Sequence, residues 1–182
     1  MNEELATLSK VNKNQNLIII VLGLPGSGKS YFAERLAKTI PAEYINSDRL
    51  RKELLPQRTY SEAEKAIVYE AMLEKMEEAI AQKKNVVLDA TFHKKETRDL
   101  FLQKVSEKVF FIEVRADEKI IRERLKRNRP YSEADFGVYE TIEKQWEPLT
   151  RPHLTVQSTN DNIDDMLQKA MEYLKDDPRA DR

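Results

Sequence analysis

LIIIVLGLPGSGKS, Leu17–Ser30, sets two signals side by side. Leu17–Leu22 is an unbroken aliphatic run, the pattern of a strand buried on both faces. Directly after it comes a loop that holds three of the chain's four glycines: Gly23, Gly26 and Gly28. From Lys29, apolar residues recur every fourth position as Phe32, Leu36 and Ile40, which predicts a helix ending before Pro41. The order is buried strand, glycine loop, helix.

The loop fits the pattern G-x-x-x-x-G-K-[ST], with Gly23, Gly28, Lys29 and Ser30 at the fixed positions. In that pattern backbone N–H groups turn inward around a chain of phosphates, and a Cβ would block the curvature or the approach. The helix that begins there adds the positive end of its dipole. Lys29 is placed to reach the β and γ phosphates, and Ser30 to offer a hydroxyl to Mg2+. Gly23, Pro25, Gly26, Ser27, Gly28, Lys29, Ser30 and Tyr31 are therefore the candidate ATP-binding residues. A glycine-rich connector is the bland alternative, but a connector needs one glycine and not Gly-Lys-Ser in register.

Outward from this stretch, the chain alternates between short apolar runs and amphipathic segments. Strands are expected at Glu43–Asn46, Asn85–Leu88 ending in Asp89, Val109–Val114 and His153–Val156. Helices are expected at Asp48–Leu55 with Ser47 as cap, Lys95–Lys108, Asp117–Arg127 and Ile163–Leu174. Ser61–Lys84 reads as a long helix with a Ser61/Glu64 capping box and a Val68, Met72, Met76, Ile80 stripe. Ser132–Glu147 reads as another, capped by the pair Ser132 and Asp135, with Phe136, Tyr139, Ile142 and Trp146 on one face. Alternation of this kind predicts an α/β fold of the P-loop NTPase type: a mostly parallel five-stranded sheet flanked by helices, with right-handed crossovers and a helical lid near 122–132. The expected organisation is a flexible arm at 1–16, one domain at 17–175 and a charged, disordered tail at 176–182.

Composition narrows the partners. A net charge of −1 gives no global basic field, so the chain lacks the footprint of a dedicated nucleic-acid binder, although local basic patches remain open. With no cysteine and two distant histidines, disulfides and a structural zinc site are not supported. The polar N-terminal stretch has no apolar signal core, and six aliphatic residues are far short of a membrane span. A soluble cytoplasmic protein is expected.

Three further stretches decide where a phosphate would go. INSDRLRKEL, Ile45–Leu54, puts Asp48 at the carboxyl edge of the sheet, where it can accept the proton of an attacking hydroxyl. Arg51, one helical turn on, can clamp an anionic group of the acceptor. A plain helix cap is the alternative for Ser47 and Asp48. NVVLDATF, Asn85–Phe92, ends a buried strand in Asp89, the place for a carboxylate that holds magnesium water, with Thr91 next to it as an acceptor contact. RERLKRNRP, Arg122–Pro130, has five basic residues and one acidic in nine. A solvated helix face is the usual meaning of such a run. Before a proline break it is also the shape of a lid that folds arginines over a migrating phosphoryl group. Arg122, Arg124, Arg127 and Arg129 compete, with Arg124 and Arg129 taken as the catalytic candidates beside Lys29 and Asp48. His93 reads as a solvated loop residue and His153 as a strand residue.

GLPGSGKS, NSDRLR, LDAT and the arginine-rich segment together resemble the P-loop kinases grouped with the kinase domain of polynucleotide 5′-kinase and the bacterial AAA-type kinases of unassigned substrate related to it. Zeta-toxin kinases are more distant. The resemblance covers residues 17–156. It implies that Asn46, Asp48 and Arg51 match the element that supplies the general base and an acceptor-phosphate arginine, and that Asp89 matches the strand-end acid. This chain has Ala90-Thr91 where the polynucleotide kinases have Thr-Asn.

The expected function is an ATP-dependent kinase that uses Mg2+ and passes the γ-phosphoryl to a hydroxyl. The acceptor is a polynucleotide 5′ end or a small, anionic molecule; no membrane partner is expected. The rival is a nucleotide-dependent switch or regulatory ATPase whose only acceptor is water. Such proteins need a water-positioning residue and a partner surface, and neither is evident.

Overall fold

The computed structural model describes residues 16–57, 59–127 and 134–175. The N-terminal arm up to 15, the lid tip with Arg129 and Ser132, and the tail from 176 lie outside the described residues. Five parallel strands form one sheet: β1 Ile18–Leu22, β2 Ala42–Asn46, β3 Asn85–Asp89, β4 Val109–Arg115 and β5 Leu154–Gln157, in the spatial order β2-β3-β1-β4-β5. The sheet is thus wholly, not mostly, parallel. β1 sits at its centre, and its five residues are all fully buried. Ile18, Ile20 and Leu22 face one layer of helices, while Ile19 and Val21 face the other, so no position on the strand can be polar.

Helix α1, Lys29–Thr39, follows β1 and packs with the last helix, α7 Ile163–Lys175, on one face. The other face is covered by α2 Ser47–Leu54, α3 Glu62–Ala81 and α4 Lys95–Gln103. Between β4 and β5 lie α5 Glu118–Leu125 and α6 Phe136–Lys144. The end of α5 falls within the lid expected at 122–132, and α6 follows it.

Several boundaries differ from the sequence reading for local reasons. The cap of α2 is Asn46 rather than Ser47: the Asn46 side chain accepts from the Arg49 amide at 2.9 Å. Ser61 caps α3 as expected, but Glu64 does not return its bonds to Ser61. Its carboxylate accepts from the amides of Thr59 and Tyr60, both at 2.7 Å, and from the Thr59 hydroxyl at 2.6 Å. α3 ends at Ala81, because Lys83 turns into the left-handed region (φ 56°). The amides of Lys83 and Lys84 then close back on Ile80 and Ala79, as in a Schellman motif. α4 stops at Gln103, well before Lys108, and α6 begins only at Phe136, with Asp135 as its own cap through the Val138 amide at 2.9 Å.

Candidate active site

The register of the sheet assembles the site. β2 pairs with β3 so that Asn46 lies opposite Asp89, and Asp89 in turn lies opposite Val21, two residues before Gly23. The carboxyl ends of β1, β2 and β3 therefore open at one level. A cavity of about 660 Å3 fills that end of the molecule. Its lining includes Gly26, Gly28, Lys29 and Ser30 of the loop, Asp48 at the start of α2, Arg124 and Arg127 from the lid side, and Ser158–Asn160 after β5.

Gly28 caps α1 with φ 92° and no side-chain hydrogen bond to the helix's first amides. Those N–H groups are left for a ligand, as anion sites at helix N-termini require. A Cβ on Gly28 would lie 2.7 Å from Ser158 Oγ and 3.0 Å from an Arg124 nitrogen. Gly23 is needed for a different reason: a Cβ there would come within 2.4 Å of the Val114 carbonyl oxygen. Of the other expected ATP contacts, Tyr31 is exposed on the cavity rim with Arg35 4.3 Å above its ring. Pro25 and Ser27 are buried behind the loop and do not line the cavity.

Asp89 is fully buried. One carboxylate oxygen accepts from the Tyr44 hydroxyl at 2.7 Å and from the Asn46 side-chain amide at 2.6 Å. The other, Oδ1, has no hydrogen-bond partner. Burial pushes the carboxyl above its ordinary range, against the pull of the Lys29 ammonium and the Tyr44 hydroxyl. A buried carboxylate with one oxygen outside any hydrogen bond, and with the Ser30 hydroxyl acting on it, fits a divalent cation's water shell. Among the described residues no three His, Asp or Glu side chains converge to hold a metal by themselves. That suits Mg2+, which keeps its waters and relies on one or two protein groups plus phosphate oxygens.

Asp48 and Arg51 are brought together more closely than the sequence suggests. Arg51 Nη1 donates to Asp48 Oδ1 at 3.0 Å, and the Arg51 side chain is 9% exposed against 26% for Asp48. The Arg51 guanidinium lies 4.9 Å from the centre of the Tyr60 ring. Tyr60 holds a left-handed backbone (φ 55°) that the Glu64 carboxylate fixes from α3. Glu64 is held below the usual carboxylate range chiefly by its bonds to Thr59. Thr91 is half-buried and does not line the nucleotide-side cavity.

Of the basic run, Arg122 turns away: it pairs with Glu118 at 2.7 Å and stacks 3.6 Å over Phe136. Arg124 points into the cavity wall. It donates to the Gly26 and Ser27 carbonyls at 3.3 and 3.0 Å, to Ser158 Oγ at 3.1 Å and to the Thr159 carbonyl at 2.7 Å. In this state Arg124 ties the phosphate loop to the turn after β5. Arg127 lines the same cavity, and Arg129 lies outside the described residues.

His93 is not the solvated loop residue expected. It is 8% exposed, its Nε2 has no partner, and burial holds its pKa down. Contacts from far along the chain enclose it. Glu147 donates its amide to the His93 carbonyl at 2.9 Å, and the buried Arg98 donates to the carbonyls of Phe92, at 2.8 Å, and Pro148, at 3.4 Å. Two residues that sequence reasoning missed also matter here: Tyr44, which supplies half of Asp89's hydrogen bonding, and Arg98. Tyr44 alternates with the buried Ile45 along β2, a weak signal; nothing local marks Arg98.

A parallel sheet in this order, a glycine loop feeding a helix N-terminus, and a strand-end carboxylate beside it define a P-loop kinase-like protein. A family model described as an AAA domain matches residues 18–152, and the chain belongs to that P-loop kinase family. No curated protein matches its sequence. Among solved structures it is similar to the Mycobacterium tuberculosis APS kinase in complex with AMPPNP and APS, at 20% identity and a TM-score of 0.71, over 88% of this chain and 98% of that one. A gluconokinase from Sinorhizobium meliloti 1021 shares 19% identity with a TM-score of 0.66, over 87% and 91%. Kti12 of Chaetomium thermophilum in complex with ADP-AlF3 shares 18% with a TM-score of 0.67, over 87% and 97%. At these identities the likeness is one of fold. No described helix is long and apolar enough to cross a membrane.

Proposed function

We propose that this chain is an ATP-dependent kinase that transfers the γ-phosphoryl group to a hydroxyl of a small, anionic acceptor or of a polynucleotide 5′ end. The observation that carries the reading is Asp48 on the rim of the cavity that Lys29 and Ser30 line, with one carboxylate oxygen held by Arg51. The loop amides and Lys29 bind and orient the triphosphate. Ser30 and, through water, the free oxygen of Asp89 would hold Mg2+, which neutralises phosphate charge. Asp48 Oδ2 accepts the proton of the acceptor hydroxyl, while the bond from Arg51 fixes the orientation of the carboxylate. The remaining Arg51 N–H groups, with Thr91, face the acceptor's anionic group. Arg124 and Arg129 stay in the proposal as the lid arginines, Arg124 through the phosphate loop that it braces.

The test is a panel of hydroxyl acceptors with γ-labelled ATP, 5′-hydroxyl DNA and RNA included. Lys29→Ala is expected to lose transfer by about 10²–10³ with the fold kept. Asp48→Asn is expected to keep ATP binding and lose about 10²–10⁴ in turnover. Release of phosphate to water at the same rate with and without every acceptor overturns the reading.

A further inference from the structure

A second cavity, of about 360 Å3, opens at the carboxyl end of β4 between the phosphate loop and α6. It shares no lining residue with the nucleotide-side cavity. Leu24 and Ser27 form its loop side, Glu113 and Arg115 its strand side, and Glu143 and Trp146 its outer side. Glu113 alternates along β4 with Ile112 and Val114, which pack on α1 and α7. It therefore projects from the opposite face, the α2–α4 face on which Asp48 and Arg51 sit. The cavity is also tied to the exit of β3. Glu147, next to Trp146, bonds to the His93 carbonyl, two residues beyond Thr91.

Its polar groups have a defined character. The Glu113 carboxylate takes two parallel bonds from Arg115, both at 2.9 Å, and is 5% exposed. The Tyr139 hydroxyl donates to Glu143 Oε1 at 2.7 Å, which leaves Oε2 of that exposed carboxylate open. Ser27 is 1% exposed, and its hydroxyl has no hydrogen-bond partner. Half-buried Trp146 adds a flat apolar wall. Glu113 and Arg115 cancel, so the charged lining carries a surplus of one carboxylate. Such a lining disfavours a phosphodiester chain within this cavity, and the acceptor's anionic group stays outside it, at Arg51. It suits a molecule that presents hydroxyl donors to a carboxylate, oxygen acceptors to a guanidinium and a C–H face to an indole. The volume is at the small end of ligand pockets.

We propose that this cavity holds the non-reacting, polyhydroxylated body of the acceptor, which makes the acceptor a small sugar- or cyclitol-like molecule and not a polynucleotide. The proposal rests on the kinase reading above. Trp146 is the chain's single tryptophan, so its emission reports occupancy of the cavity without any turnover. Ribose, glucose and myo-inositol are titrated into the full chain, with a 5′-hydroxyl oligonucleotide and spermidine as rivals. At least one polyol is expected to give a saturable change. Glu143→Gln, at an exposed position, is expected to weaken that binding about tenfold, the loss of one charge-assisted hydrogen bond. Asp48→Asn is expected to leave it within twofold while transfer from ATP is lost. No saturable change with any of the three polyols, or a response to the oligonucleotide or spermidine alone, overturns the proposal. The two readings fail separately. Phosphoryl transfer without polyol binding removes this inference and leaves the kinase, whereas polyol binding without transfer leaves the cavity and removes the kinase.

Discussion

Asn46 does two jobs with one side chain, and they can be separated. Its Oδ1 accepts from the Arg49 amide and caps α2, while its Nδ2 donates to the buried Asp89 carboxylate at 2.6 Å. A side-chain cap is worth about 1 kcal/mol. A hydrogen bond to a charged group contributes about 1.5–3 kcal/mol, and its loss leaves Asp89 with Tyr44 alone. Asn46→Ala is thus expected to cost about 2.5–4 kcal/mol. Asn46→Ser restores a cap but cannot reach Asp89, so it should cost only the link, about 2 kcal/mol. Urea unfolding gives both numbers, provided the slope with denaturant stays constant.

Asn46→Asp isolates the electrostatics. The cap survives, but two carboxylates now face each other where only one can ionise cheaply. Burial already raises the Asp89 carboxyl, and the new neighbour raises the pair further. A carboxyl whose folded pKa is raised contributes stability that is present below its unfolded value, about 3.9, and lost as pH rises through the folded value. Asn46→Asp should therefore come closest to the parent chain in acid and fall behind it steadily toward neutral pH. Equal costs for the Ala and Ser variants, or an Asp variant whose deficit does not grow with pH, would refute the link between cap and carboxylate.

Asp89→Asn removes a buried charge that is matched on one oxygen only, so it should raise the melting temperature of the ligand-free chain at neutral pH and abolish the further rise given by Mg-ATP; a lower melting temperature in both states contradicts the placement of Asp89. Arg124→Met should raise KM for ATP and leave KM for the acceptor unchanged, with about 2–3 kcal/mol of stability lost from its carbonyl bonds; calorimetry and initial rates measure the two. Gly28→Ala should cost about 1–2 kcal/mol for the left-handed backbone and weaken ATP binding as Ser158 is pushed aside, so an unaltered ATP titration counts against the loop geometry.

The strand, loop and helix around residues 18–39 were legible because each signal is local: an aliphatic run, glycines at fixed spacing, a four-residue apolar repeat. The same holds for the α3 stripe, where Val68, Met72 and Met76 are all fully buried. What was not legible depends on partners far along the chain. Ser47 and Asn46 are equally good caps in sequence; the register that sets Asn46 opposite Asp89 chooses between them. His93 looked solvated because its neighbours in sequence are charged, and Glu147 and Pro148, more than fifty positions on, enclose it through Arg98 and the His93 carbonyl. The arginines of the expected lid are alike by composition, and three of them, Arg122, Arg124 and Arg127, are described. Ser158 and Thr159 single out Arg124, and no local rule could have done so.

The distribution of charge separates the two ends of the site. On the nucleotide side Lys29, Arg124 and Arg127 line one cavity, and Arg124 bonds only to neutral oxygens. Its positive charge is not cancelled, which suits a polyphosphate. On the proposed acceptor side three guanidinium groups already have carboxylate partners: Arg51 with Asp48, Arg115 with Glu113, and Arg122, beside α6, with Glu118. A polynucleotide gains affinity by neutralising phosphates with available cations and releasing their counterions. Here a run of phosphates would compete with these internal pairs, one of them the pair that orients the proposed base. A small acceptor that exchanges hydroxyl hydrogen bonds leaves those pairs intact, and it brings its reacting oxygen to an Asp48 that Arg51 still holds.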